Sequence, residues 1–160
     1  MSWDTLFSPG DVRTLKAAHR RARSVAVERE GKVVKLRQRY FDKSEEGRAK
    51  TGRPAIGTVS RRTARLVDAY LAGLGIELLP ESILFRTRTG KPYQAHRLQR
   101  DFNIVRDLVF PGDLRQLRDM RRAGTIEAVA GGADGGELSS KLANSIDRSN
   151  TLRKTYAPID

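Results

Sequence analysis

Three side chains in this sequence have the chemistry and setting to act on an anion: Arg121, Lys50 and Tyr156. At about 100° per residue, Leu114, Leu117, Gly124 and Ala128 share one side of a helix, and Arg121 falls in their middle. A guanidinium on a buried side needs a counter-charge, because an unpaired buried charge costs several kcal/mol, roughly. Two partners fit: a carboxylate of the chain itself, or a bound phosphate. Lys50 stands just before Thr51-Gly52, flanked by Arg48 and Arg53. A lysine at such a turn either stays solvated or reaches toward a phosphate. Tyr156 lies four residues after Leu152 and two before Pro158, where a ring packs and leaves its hydroxyl wet.

The elements that must hold these residues are legible in part. A helix is expected over residues 11–24, after Ser8-Pro9-Gly10, with a weak apolar side of Val12, Leu15 and Ala18. Short β-like runs follow at 33–40, 48–50 and 54–59, with a tight turn at Thr51-Gly52. Ser60 is a good N-cap for a helix to about Leu74, stopped by Gly75. Ile83-Leu84-Phe85 leads into a turn at Thr89-Gly90-Lys91-Pro92. Helices are expected over 94–109, 113–130 and 137–143, with a last turn or helix near 149–156. The fold class is α+β, mainly helical, with a small N-terminal β-hairpin or sheet. The glycine-rich stretch 131–136 lacks a Gly-Lys-Ser/Thr ending and carries Asp134, so it reads as a connector rather than a phosphate cradle.

Composition narrows the partner. The chain has 160 residues, no cysteine, two histidines and a formal net charge of +12. One domain is the natural expectation at this length. A disulfide framework, a zinc ribbon and a thiol nucleophile are excluded, and His19 and His96, both read on basic helices without a carboxylate motif, supply no metal cluster. No apolar run approaches the roughly 18 residues of a membrane span, and Met1-Ser2-Trp3-Asp4 is unlike a signal peptide. A cytoplasmic, nucleoid-associated protein is expected, with neither membrane nor small-molecule substrate as partner. Residues 1–65 hold 17 Lys+Arg and 7 Asp+Glu, a net of +10; the remaining residues hold 14 and 12, a net of +2. The front segment is therefore where phosphate-backbone contacts are expected: Arg37, Arg39, Lys43, Arg48, Arg53, Arg61 and Arg62, joined by Arg122 farther on. A face merely kept soluble by charge is the competing reading. RNA recognition by base stacking has little room, since aromatics are 6% of the residues.

In order and spacing these residues resemble the catalytic domain of the tyrosine recombinase (phage integrase) family, over roughly residues 40–160. Arg48-Ala49-Lys50-Thr51-Gly52-Arg53 is similar to the family's lysine-bearing β-hairpin. The stretch from Ile83-Leu84-Phe85-Arg86 to Gly90-Lys91-Pro92-Tyr93 resembles the segment that follows it. Leu117-Arg118-Asp119-Met120-Arg121-Arg122-Ala123-Gly124 resembles the His-x-x-Arg box. Lys141-Leu142-Ala143-Asn144-Ser145 stands where the family has Gly-His or Gly-Trp, and Thr155-Tyr156 resembles the nucleophile.

The resemblance implies DNA strand cleavage and rejoining on double-stranded DNA, with several copies assembling there and no cofactor or metal. Tyr156 would attack the scissile phosphate, Arg121 would bind its oxygens, Lys50 would protonate the leaving 5′-oxygen, and Arg118 and Asn144 would complete the pocket. The departures are also specific. No Thr-Gly-x-Arg-x-x-Glu-like box precedes Lys50; Arg13, in Gly10-Asp11-Val12-Arg13, is the nearest candidate and has the wrong context. Arg118 stands for histidine and Asn144 for His or Trp, and residues 1–30 match weakly. These departures imply a single partial catalytic domain over 1–160, a truncated or mobile-element remnant form without the core-binding domain. The alternative is a DNA-binding protein that keeps the fold without the reaction.

Overall fold

Ser8 starts the first helix of consequence by a reciprocal cap. Its hydroxyl accepts the Asp11 amide at 3.2 Å, and the Asp11 carboxylate accepts the Ser8 amide at 3.1 Å and hydroxyl at 2.6 Å. With Pro9 in the first turn this gives α2 (Pro9–Arg13), after a single turn of helix, α1 (Ser2–Thr5). The structure is a computed structural model that describes residues 1–142, less the side chains of Ser139 and Ser140.

The expected helix over 11–24 ends at Arg13. A 3-10 turn (Ala17–His19) follows, and then Arg20–Arg29 is a strand, β1. It pairs antiparallel with β2 (Lys32–Asp42) in ten cross-strand pairs, from Arg20↔Phe41 to Arg29↔Lys32. The intervening Glu30 and Gly31 both have positive φ (53° and 71°), as a two-residue hairpin turn requires. That ladder outweighs a helical stripe of only three apolar residues. β3 (Ile56–Val59) pairs with Arg39–Asp42 alone, in sheet order β1-β2-β3. The far part of the β1–β2 hairpin is consequently an exposed arm. Residues 48–50, expected as strand, lie in the loop between β2 and β3.

Ser60 caps α3 (Arg61–Gly73) as expected, its Oγ accepting the Thr63 amide at 3.2 Å, and Ala64 and Val67 are buried. α4 (Ala95–Val109) and α6 (Gly135–Leu142) also fall close to expectation. α5 spans Asp119–Ala130, starting six residues later than the periodicity of 113–130 predicts. Asp113 binds the Arg115 amide (2.8 Å) and Nε (2.7 Å), and Asp119 binds the Gln116 amide (2.7 Å). These side-chain bonds hold 113–118 as turns. Six helices and a three-stranded antiparallel sheet thus make up the described residues, a mixed α+β fold whose sheet lies between helices rather than ahead of them.

Among the described residues, two apolar clusters form the core. Phe7, Leu15, Phe41, Ala55, Val67 and Leu84 make one, and Leu6, Leu138 and Leu142 the other. The adjacent Leu6 and Phe7 diverge into the two, helped by the left-handed conformation of Leu6 (φ 54°). α1 is wedged between β3 and α5 against two glycines. A Cβ at Gly124 would lie 2.2 Å from the Trp3 carbonyl oxygen, and one at Gly57 2.5 Å from the Thr5 Cβ. Residues 1–7, part of the weakly matching stretch 1–30, are therefore central to the packing. No helix among the described residues is long and apolar enough to cross a membrane.

Candidate nucleic-acid interface

The loop from Lys43 to Ala55 brings Lys50 out to solvent. Its neck is closed by the Lys43 amide on the Ala55 carbonyl at 2.9 Å. Its tip is closed by the Arg48 amide on Arg53 (2.9 Å) and the Gly52 amide on Arg48 (2.8 Å). Gly47 (φ +71°) lies so close to Gly52 that a Cβ would sit 2.1 Å from the Gly52 oxygen. Lys50 is thus presented on a tight turn, not on the strands of a hairpin. Lys50 and Arg53 are exposed there.

Arg48 does not share that exposure. Its side chain is only 4% exposed, and Nε and Nη2 donate to Asp11 Oδ2 at 2.9 and 2.7 Å. Nη2 also reaches the Leu6 carbonyl at 3.5 Å, Nη1 donates to the Leu142 carbonyl, and the guanidinium lies 5.6 Å from the centre of the Phe7 ring. The other Asp11 oxygen accepts the Ala49 amide at 2.9 Å. Burial pushes the Asp11 carboxyl up, but bonds from Ser8 and Arg48 outweigh it and hold the group below the ordinary carboxylate value. Lys43 is likewise buried, with Nζ 3.5 Å from Thr14 Oγ1 and its ammonium pushed down by burial. Arg48 and Lys43, expected among the phosphate contacts at the surface, are buried instead: both stems and both charges are enclosed by the core.

Arg121, half-buried on α5, donates from Nη2 to the Leu142 carbonyl at 2.9 Å. Two guanidinium groups, those of Arg48 and Arg121, therefore converge on one carbonyl oxygen at the end of α6. Asp11 is bound by one of them. Arg118 is exposed at the start of the same helix, and Arg122 is exposed beside Arg121. Asn144 and Tyr156 lie outside the described residues.

Solved structures supply the comparison. No protein-family model matches the sequence, and no curated protein does. XerA recombinase matches 99% of this chain with a TM-score of 0.72 at 12% identity. The Tn1549 transposon integrase, in complex with circular intermediate DNA, matches 99% with a TM-score of 0.61 at 11% identity. This is a tyrosine-recombinase fold. The chain spans about half the length of these structures, 51% and 52% of them respectively.

Within this recombinase fold several of the remaining basic residues gather beside the β1–β2 arm. A hollow of about 550 Å³ between the arm and the start of α3 is lined by Arg37, Arg39, Arg61 and Arg65, with Val25 and Leu36 among its apolar walls. Arg39 is half-engaged there, since Arg20 and Arg39 both pair with Asp68 of α3. Arg62 is exposed on the same helix. His19 lies on the 3-10 turn rather than on the basic helix expected for it, with Nε2 3.3 Å from Glu46 and Nδ1 accepting the Lys16 amide at 3.0 Å. Burial first, and then Lys43, push its pKa down. The stretch 131–136 is a connector: Asp134 and Glu137 cap α6 reciprocally at 2.8 and 3.1 Å. Sequence reasoning missed Asp11. Its capping position after Ser8-Pro9 was a usable signal, but nothing local points to Arg48, 37 residues on.

Proposed function

We propose that this chain is the DNA-breaking-and-rejoining unit of a tyrosine-type site-specific recombinase, working in DNA integration or excision. The observation that carries the reading is the convergence of Arg121 with Arg48 at the end of α6, beside the exposed Lys50 turn, in a fold shared with XerA recombinase and the Tn1549 integrase.

In the reaction, the Tyr156 phenol oxygen attacks the scissile phosphorus of duplex DNA, its proton passing to solvent water as the bond forms. The bond from phosphorus to the 5′-oxygen breaks, leaving a 3′-phosphotyrosine and a free 5′-hydroxyl. Arg121 binds the non-bridging oxygens where negative charge builds. Lys50 delivers its proton to the departing 5′-oxygen. Arg118 and Asn144 donate further hydrogen bonds to the phosphate. Attack by the 5′-hydroxyl of another strand reverses the sequence and reseals the backbone. The exposed Arg37, Arg53, Arg61, Arg62 and Arg122 hold neighbouring phosphates, and several copies meet on the DNA.

One observation favours a second reading, a DNA-binding protein that keeps the fold without the reaction. The residue at position 118 is an arginine, whose guanidinium keeps its charge, so it donates to phosphate without shuttling a proton. A nicked suicide duplex separates the two. Under the first reading, a covalent adduct forms and is abolished by Tyr156→Phe. Salt-sensitive binding without an adduct at any protein concentration refutes it in favour of the second.

A further inference from the structure

Arg48 is spent on the protein's interior, yet it stands two residues from the lysine that the proposed reaction needs most. Its guanidinium joins three separated parts of the chain: the Asp11 carboxylate on α2, the Leu6 carbonyl after α1, and the Leu142 carbonyl that Arg121 also binds. Asp11 completes the arrangement through its second oxygen, which holds the Ala49 amide at 2.9 Å, one residue before Lys50. The Lys50 turn is therefore fixed at its base from two sides, by the side chain of Arg48 and by the backbone of Ala49. Both fixings run through the same buried carboxylate.

We infer that Arg48, acting with Asp11, is a positioning residue that sets the Lys50 ammonium at the leaving oxygen while keeping register with Arg121. The inference rests on the proposed strand-cleavage reaction and adds to it a residue that does not touch DNA. The physical need is geometric. A long, exposed lysine delivers a proton efficiently only when its backbone anchor holds still, and a displacement of about 1 Å at a reacting group can cost about 10²-fold in rate. Lysine at position 48 would keep one charge at Asp11. It lacks the planar fork that reaches Asp11, Leu6 and Leu142 together.

The test uses two suicide duplexes that differ in one atom. In the first the leaving group is the normal 5′-oxygen; in the second it is a 5′-bridging sulfur, which departs as a thiolate and needs no proton. Adduct formation is followed at saturating DNA for the unsubstituted chain, Arg48→Lys, Asp11→Asn, Lys50→Ala and Arg121→Lys, at equal folded fraction by circular dichroism. Arg48→Lys and Asp11→Asn are expected to lose about 10²-fold on the oxygen substrate. Most of that loss should return on the sulfur substrate, as it should for Lys50→Ala, whereas Arg121→Lys stays impaired on both. Equal losses on the two substrates would overturn the inference and leave Arg48 a fold residue only. No adduct from the unsubstituted chain on either substrate would overturn the proposed reaction itself, and the inference with it. Should Arg48→Lys not fold, Asp11→Asn, which keeps the side chain's shape, decides the matter by the same comparison.

Discussion

Replacing Gly124 by alanine sets two physical effects of opposite sign against each other, and the structure says which wins. Gly124 is interior to α5, where alanine is intrinsically better than glycine by about 0.8–1.0 kcal/mol. The new methyl group would, however, lie 2.2 Å from the Trp3 carbonyl oxygen, 2.9 Å from the Trp3 carbonyl carbon and 3.0 Å from Leu6 Cδ2. Two of these are backbone atoms, so relief requires α1 to move by about an ångström rather than a side chain to rotate. Overpacking of this kind costs about 1–3 kcal/mol. Moving α1 also lifts Leu6 from Leu138 and Leu142, and losing the burial of one leucine costs about 1.5–3 kcal/mol when complete. With half of that burial lost, the net effect is a destabilisation of about 1–4 kcal/mol. The corresponding fall in Tm is about 2–16 °C for a chain of this size. Urea titration with a matched melting curve measures it. A variant as stable as the original, or more stable by the propensity difference, would refute the seating of α1 on α5.

Gly47→Ala combines a positive φ with a clash against Gly52, so it should open the Lys50 turn, lower stability by about 1–3 kcal/mol and slow adduct formation together; an unchanged unfolding midpoint in urea would contradict this. Acid should destabilise the chain in two stages. The folded-state pKa of His19 lies below its ordinary value of about 6.5, so the folded protein resists that proton, and stability should begin to fall as pH drops below 6.5. Asp11 is held below about 3.9, so its contribution is complete above that pH and is lost on further acidification. Urea midpoints at pH 7.5, 5.5 and 3.5 report both stages, and His19→Gln should remove the first without the second. Truncating Arg37, Arg61 and Arg65 to alanine should weaken duplex binding on all sequences alike and flatten the dependence of log K on log salt by about 0.9 for each phosphate no longer neutralised. An unchanged salt slope in fluorescence anisotropy would show that the hollow does not face DNA.

What the sequence determined alone is what its neighbouring residues determine. Ser60 caps α3 through the Thr63 amide three residues on, and Thr89-Gly90-Lys91-Pro92 turns as written, with Gly90 at φ +75°. Capping and turn formation are local, so a window of a few residues holds all the physics. The charge imbalance likewise pointed to a polyanion before any element was placed. Tertiary structure alone decided the rest. Residues 20–24 have the composition of a helix and became strand because a partner strand stood opposite, an outcome set by ten pairs at a distance. The N-terminal seven residues carry no strong pattern and became the wedge on which both clusters meet, because Gly124 leaves room for the Trp3 backbone and Gly57 for the Thr5 side chain. Arg48 shows the division most sharply. Its place in a basic run beside Lys50 reads as a surface residue, but a carboxylate 37 residues earlier and a carbonyl 94 residues later draw it inside. Burying a charge is permitted only where partners converge from several segments, and a linear sequence does not state which segments will meet.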